Sequence, residues 1–248
     1  MKKIELHLVP TVSRAEMQLV DALMIEKYGI SLLQMMENAG RNLADLAQYL
    51  LGGTLAGKKI AVCCGGGNNG GGGMAAARHL IDRGAQVCVS VAVDETHMKN
   101  ALTTQLRILQ QMQTDISMIF PDEKFDLIID SLIGYGLVGA PRGKIAEWIV
   151  RLNDKGCTIL SLDIPSGMDA DNGQAAGVSV RAAATMTLAL PKNGMRADNA
   201  QEMMGNLFVA DISVPSSLLA EMGITMGTLF HDSAIVQIET GATVSGRR

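Results

Sequence analysis

The chain reads as one open α/β domain, a mostly parallel sheet covered by helices on both faces and preceded by an N-terminal helical arm. Three observations predict this. Apolar runs such as Lys59-Ile60-Ala61-Val62-Cys63-Cys64 are continuous, as in strands buried on both faces. These runs alternate with helix-patterned stretches through short links. A glycine-rich segment, 65–73, stands directly between the first such strand and a helix, the setting in which open α/β sheets bind ligands.

The elements follow in order. Ser13-Arg14-Ala15-Glu16 is a capping box, and Met17, Val20, Leu23 and Met24 then fall on one helical face. Gly29 ends this helix. Ser31 starts the next, which carries Leu32, Leu33, Met36 and Leu43 and runs to about residue 51. After the strand at 59–64 and the glycine segment, a helix is expected over 74–83 and a strand over 86–93. A helix over 95–112, a strand over 125–130, a helix over 146–152 and a strand over 157–163 come next. Residues 183–190 and 206–210 are further strands. The order is that of a three-layer, Rossmann-like fold. No repeat or linker divides the chain, so residues 1–248 read as one domain with its core at about 10–220. The small, polar tail at 231–248 is expected to be partly disordered.

Composition narrows the function. The 248 residues suffice for one sizeable core, with 48% hydrophobic and 19% charged residues. A net charge of −4 and the lack of a basic stripe exclude a general role on nucleic acid or anionic membrane. The 3% aromatic content is too low for base-stacking platforms, and the sixteen methionines read as adaptable core filler. Cys63, Cys64, Cys88 and Cys157 show no zinc spacing and read as reduced, structural residues. No apolar run follows Lys2-Lys3 and none reaches membrane-spanning length, so a cytoplasmic protein is expected.

Four segments carry chemistry. Seven glycines flank Asn68 and Asn69 in 65–73. Glycine lets backbone amides approach a phosphate closely, and the following helix adds its positive end. The segment is neither a Walker loop nor a good G-x-G-x-x-G fingerprint. Asparagine carbonyl oxygens can orient a ligand or coordinate a hard cation. Asp130 ends an apolar strand. An aspartate there either caps a helix or faces a ligand, and the glycine-bearing loop that follows, through Gly134, Tyr135, Gly136, Leu137, Val138, Gly139 and Ala140, favours the ligand. Asp163-Ile164-Pro165-Ser166-Gly167 repeats the pattern, with the Ser166 hydroxyl near a strand-end aspartate, whereas Asp169 and Asp171 read as solvated turn residues. Lys192, after a buried strand and Pro191, is either an exposed loop charge or an acid/base or ligand group in the same crevice. A serine hydrolase would need a histidine in reach, and His7, His79, His97 and His231 have no motif context.

In this order, with Met36-Glu37-Asn38-Ala39-Gly40-Arg41 ahead of them and Val209-Ala210-Asp211-Ile212 behind, the segments resemble the YjeF N-terminal domain family of NAD(P)H-hydrate epimerases over about 10–220. The resemblance implies an isomerase of metabolite repair that interconverts the R and S forms of hydrated NADH and NADPH. It implies a potassium ion held by Asn69, Asp130 and Ser166. Substrate contacts would come from Asn68, Asn69, Gly70, Gly71 and Gly72, from Gly134 through Ala140, and from Asp163. Inversion at a carbon bearing both a hydroxyl and the ring nitrogen calls for proton transfer. Asp163 is the expected acid/base group, with Lys192 assisting or binding phosphate. The family often carries a fused dehydratase, for which 248 residues leave no room, so a separate NAD(P)H-hydrate dehydratase is the expected functional partner. The apolar helical arm at 13–51 can pack on the core or on a second subunit, so a homodimer is compatible with the pattern. Gly66 stands where the family usually has proline, Gly72 where it has aspartate and Tyr135 where threonine is common. The missing aspartate raises the alternative of a catalytically weakened binding or scaffold module of the same fold.

Overall fold

The computed structural model describes residues 2–240. Its chain order is β1 (Lys3–Glu5), α1 (Arg14–Glu26), α2 (Leu32–Leu50), β2 (Lys59–Cys64), α3 (Asn68–Asp82), β3 (Gln86–Val91), α4 (Asn100–Gln111), β4 (Asp115–Ser117), β5 (Leu127–Ser131), α5 (Gly143–Asp154), β6 (Ile159–Leu162), β7 (Ala184–Leu188), α6 (Gln201–Met204), β8 (Asn206–Ala210), α7 (Ser216–Glu221) and β9 (Ile235–Glu239). Among the described residues these strands form one nine-stranded sheet, ordered β1-β9-β8-β7-β6-β5-β2-β3-β4. Every pair is parallel except β8 with β9.

Side-chain alternation sorts the core into layers. Ile60, Val62 and Cys64 of β2, Leu127 and Ile129 of β5, and Leu160 and Leu162 of β6 pack with α2, α3 and α4 on one face. Their neighbours Ala61, Cys63, Ile128 and Ile159 pack on the other face with Trp148, Ile149 and Leu152 of α5. The apolar runs are continuous because both faces are covered. The arm joins a third cluster: Met17, Val20 and Met24 of α1 meet Leu207 and Val209 of β8 and Leu218 and Leu219 of α7.

Three expectations change. The glycine segment is a loop only as far as Gly67; Asn68 already opens α3, six residues before the expected start. The helix expected over 95–112 begins at Asn100, after a 3-10 turn at Glu95–His97. The tail contains β9, whose Ile235, Val236 and Ile238 are buried against β8; the remainder, 241–248, lies outside the described residues.

Capping boxes begin both arm helices: Ser13 with Glu16, and Ser31 with Gln34. Gly40 lets α2 cross α3 closely, because a Cβ there would stand 2.5 Å from the Ala75 Cβ and 2.7 Å from the Ala76 nitrogen. Gly40→Ala should therefore destabilise the fold by about 1–3 kcal/mol despite alanine's better helix propensity. A lowered urea midpoint with unchanged slope is expected, and an unchanged midpoint would contradict the crossing as the reason for glycine.

Candidate functional site

Parallel strands align their carboxyl ends, and the chain leaves β2 and β5 in opposite directions along the sheet. At such a switch point the outgoing loops part and leave a crevice. A cavity of about 650 Å³ occupies it, of the size that holds a nucleotide-like ligand. Gly66 to Asn69 and Gly72 form one wall, Leu132 to Gly136 a second, and Leu162, Asp163 and Leu188 the floor. Met17, Gln18 and Asp21 of α1 and Met35 and Met36 of α2 close it.

The glycines divide by role. Gly67 caps α3 without a side-chain bond, and Asn68 and Asn69 follow, so the helix's first amides and positive end stand at the cavity. Gly70 faces the Gly65 carbonyl and Leu102, Gly71 faces Met36, and Gly73 faces Ser131. Gly70 and Gly71 thus lie off the cavity lining and serve packing. Gly72 lies on the lining, and a Cβ there would meet Leu162 Cδ2 at 2.9 Å. At Gly66 a Cβ would come within 2.7 Å of the His97 carbonyl oxygen, so this backbone position favours glycine.

Asp130 is fully buried. Its carboxylate accepts from the Ser166 hydroxyl at 2.6 Å, the Ser161 hydroxyl at 2.8 Å, the Ser166 amide at 2.9 Å and the Leu132 amide at 3.2 Å. Burial pushes its carboxyl above its ordinary value, and these four bonds pull it back. Ser166 also accepts from the Ile133 amide at 2.8 Å, tying the loops after β5 and β6 together. The Asn69 amide group donates to the Leu162 carbonyl at 3.2 Å, and its Oδ1 stands beside Gly134.

Asp163 leaves β6 with φ +69°, a left-handed conformation rare for a residue other than glycine. It is 3% exposed. One carboxylate oxygen accepts from Lys192 Nζ at 2.5 Å, the other from the Tyr135 amide at 2.8 Å. Lys192 is completely buried, so of its two readings the exposed loop charge is excluded. Its remaining donors go to Thr187 Oγ1 and the Leu188 carbonyl, both at 3.0 Å. The Tyr135 hydroxyl donates to Asp21 at 2.6 Å, and burial and the two nearby carboxylates raise its ionisation well above the ordinary value.

The structure thus brings Asn68, Asn69, Gly72, Gly134, Tyr135, Gly136 and Asp163 to one cavity, with Asp130, Ser166 and Lys192 directly behind its lining. Leu137, Val138, Gly139 and Ala140 do not line it; Val138 is 80% exposed. Asp169 is no free turn residue, since it pairs with Arg14 at 2.5 Å, while the Arg14 Nε donates to the Tyr135 carbonyl. Sequence reasoning missed Asp21 and Lys99, which both line the cavity. Asp21 had a signal: it lies four residues after Met17 and three before Met24, a charge on the apolar stripe of α1.

An open α/β sheet with a helix N-terminus and buried acid and base groups around one crevice defines a small-molecule site of the nucleotide-binding class. The chain belongs to the family described as YjeF-related protein N-terminus, whose model matches residues 32–194. The NAD(P)H-hydrate epimerase of Dehalogenimonas lykanthroporepellens is 39% identical over 84% of this chain and 84% of its own length. The bifunctional NAD(P)H-hydrate repair enzyme Nnr of Moorella thermoacetica is 34% identical over 84% of this chain, which spans 41% of that protein. The crystal structure of yeast YNL200c, 23% identical, superposes with a TM-score of 0.78 over 92% of this chain and 100% of that one, and shows the same fold. No helix among the described residues is long and apolar enough to cross a membrane.

The Lys192–Asp163 pair makes a prediction independent of activity. Lys192→Met or Asp163→Asn alone strands a buried group and should each cost about 3–5 kcal/mol in chemical denaturation. The double variant should cost clearly less than the sum, and additive losses would show that the two charges do not support each other.

Proposed function

We propose that this chain interconverts the R and S forms of hydrated NADH and NADPH. The observation that carries the reading is the relative 39% identical over most of both chains, named for that activity, combined with a cavity walled by the residues on which the family resemblance was seen. The N-terminus of α3 and the Lys99 ammonium, which makes no ion pair among the described residues, suit a dinucleotide's phosphates. Asp163 then serves as an acid/base group at the damaged ring, with Lys192 matching its charge and holding its orientation.

Potassium fits the donor chemistry. Asn69 Oδ1, Asp130 and Ser166 offer hard oxygen donors, and Asp130 is buried with no cationic side chain bonded to it among the described residues. The ion would supply positive charge beside Asp130 and fix the loops after β5 and β6. We read the protein as a cytoplasmic isomerase that works with an NAD(P)H-hydrate dehydratase, in line with relatives named bifunctional NAD(P)H-hydrate repair enzymes.

Purified S and R hydrates of NADPH, incubated with the protein, should interconvert well above the spontaneous rate. Asp163→Asn should lower that rate by about 10²–10⁴-fold. Replacing potassium with tetramethylammonium should also lower it, and an unchanged rate would remove the ion from the proposal. Gly72, on the cavity wall without a carboxylate, favours a second reading: a ligand-binding module that no longer turns over. Binding without acceleration would establish that reading, and Gly72→Asp should then raise the rate.

A further inference from the structure

Inverting a ring carbon by loss and return of its hydroxyl uses both faces of the ring, so one carboxyl on one wall is not enough. Asp163 reaches the cavity from the end of β6, with both oxygens engaged and its charge matched by the Lys192 ammonium. Asp21 reaches the same cavity from α1, the helix that closes it. One of its oxygens accepts from the Tyr135 hydroxyl at 2.6 Å; the other makes no hydrogen bond among the described residues. Tyr135 joins the two carboxyls, because its amide donates to Asp163 at 2.8 Å while its hydroxyl serves Asp21. Its ring also lies 5.8 Å from Lys192 Nζ.

We propose that Asp21 is a second catalytic acid/base residue, acting from the α1 wall on the ring face opposite Asp163 and oriented by the Tyr135 hydroxyl. This assignment rests on the epimerase reading. Asp21 in its acid form gives its proton to the leaving hydroxyl. The carbon–oxygen bond breaks with its electron pair going to oxygen, water forms, and the ring nitrogen's lone pair closes a carbon–nitrogen double bond. Water then adds to the opposite face, the nitrogen recovers its pair, and the proton released goes to Asp163. Exchange with solvent resets the pair, and the reverse reaction exchanges the roles. The environment suits an acid. Burial raises the Asp21 carboxyl above its ordinary value, as does the Asp163 charge. The Tyr135 hydrogen bond and the Lys192 ammonium oppose the rise without cancelling it.

The test uses the full chain. Asp21→Asn should reduce kcat by about 10²-fold or more while binding of unhydrated NADPH is retained. Tyr135→Phe removes a bond that lowers the Asp21 value, so the alkaline limb of kcat/KM should move to higher pH. A purely structural Asp21 would leave that limb in place. Near wild-type turnover in Asp21→Asn would overturn the assignment while leaving the epimerase reading intact. If Asp21→Asn does not fold, the Tyr135→Phe limb decides: a shift upward supports the assignment and an unmoved limb overturns it. A wild-type protein that accelerates neither hydrate overturns the epimerase reading and this assignment with it.

Discussion

The buried ion pair between Lys192 and Asp163 is the constraint around which the site is built. Removing an ammonium and a carboxylate from water costs several kcal/mol per ion unless every donor and acceptor is met. Here Thr187 and Leu188 of β7 and the Tyr135 amide of the loop after β5 meet them. The pair therefore fixes β6, β7 and the Tyr135 loop relative to one another. It also holds the entry to the N-terminal arm, since Val12 donates to the Pro191 carbonyl and accepts from the Asn193 amide, on either side of Lys192. The left-handed backbone at Asp163, a strain of roughly 1–3 kcal/mol, is kept because the pair and the sheet end together determine it.

How much of this was legible follows from where the determining contacts lie. β2 and β8 were read at their observed bounds because strands buried on both faces announce themselves locally. The cavity's place in the fold followed from Asp130 and Asp163 at strand ends, a consequence of parallel topology. The burial of Lys192 was not legible, because its partner lies 29 residues earlier and only the fold joins them. Nor was the helical start at Asn68, since four successive glycines oppose a helix by roughly 1 kcal/mol each. Packing overrides that cost: side chains at Gly70, Gly71 or Gly73 would collide with the Gly65 carbonyl, Met36 or Ser131. β1 and β9 escaped notice because β1 is three residues long and pairs with the far end of the chain, and β9 stands in a polar stretch.

The signature on α2 acquires a physical meaning in the same way. Met36 packs over Gly71 and lines the cavity, Glu37 pairs with Arg78 and His79 of α3, and Gly40 sets the crossing. Asn38 donates to Ser213 beyond β8 at 2.8 Å. These contacts set the height of α3 against the sheet, and thereby the position of its N-terminus at the cavity. α1 does the matching work on the opposite side, with Arg14 holding the Tyr135 carbonyl and Asp21 its hydroxyl.

Charge is consequently divided along the cavity. The α3 N-terminus and Lys99 present positive potential to the cavity, and Asp21 and Asp163 present carboxyls to it; on the proposed reading the first pair meets the phosphates and the second the hydroxylated ring. A carboxylate at position 72, in the second turn of α3, would oppose an anion bound at the helix's first amides. Glycine there leaves an apolar wall against Leu162. On the proposed reading this would strengthen attraction for the phosphates and leave a developing ring cation to the carboxyls on the α1 and β6 walls. On that reading, the glycine that departs from the family pattern would act on binding and on chemistry in opposite senses, favouring retention of the ligand and placing the demand for turnover on Asp163 and Asp21.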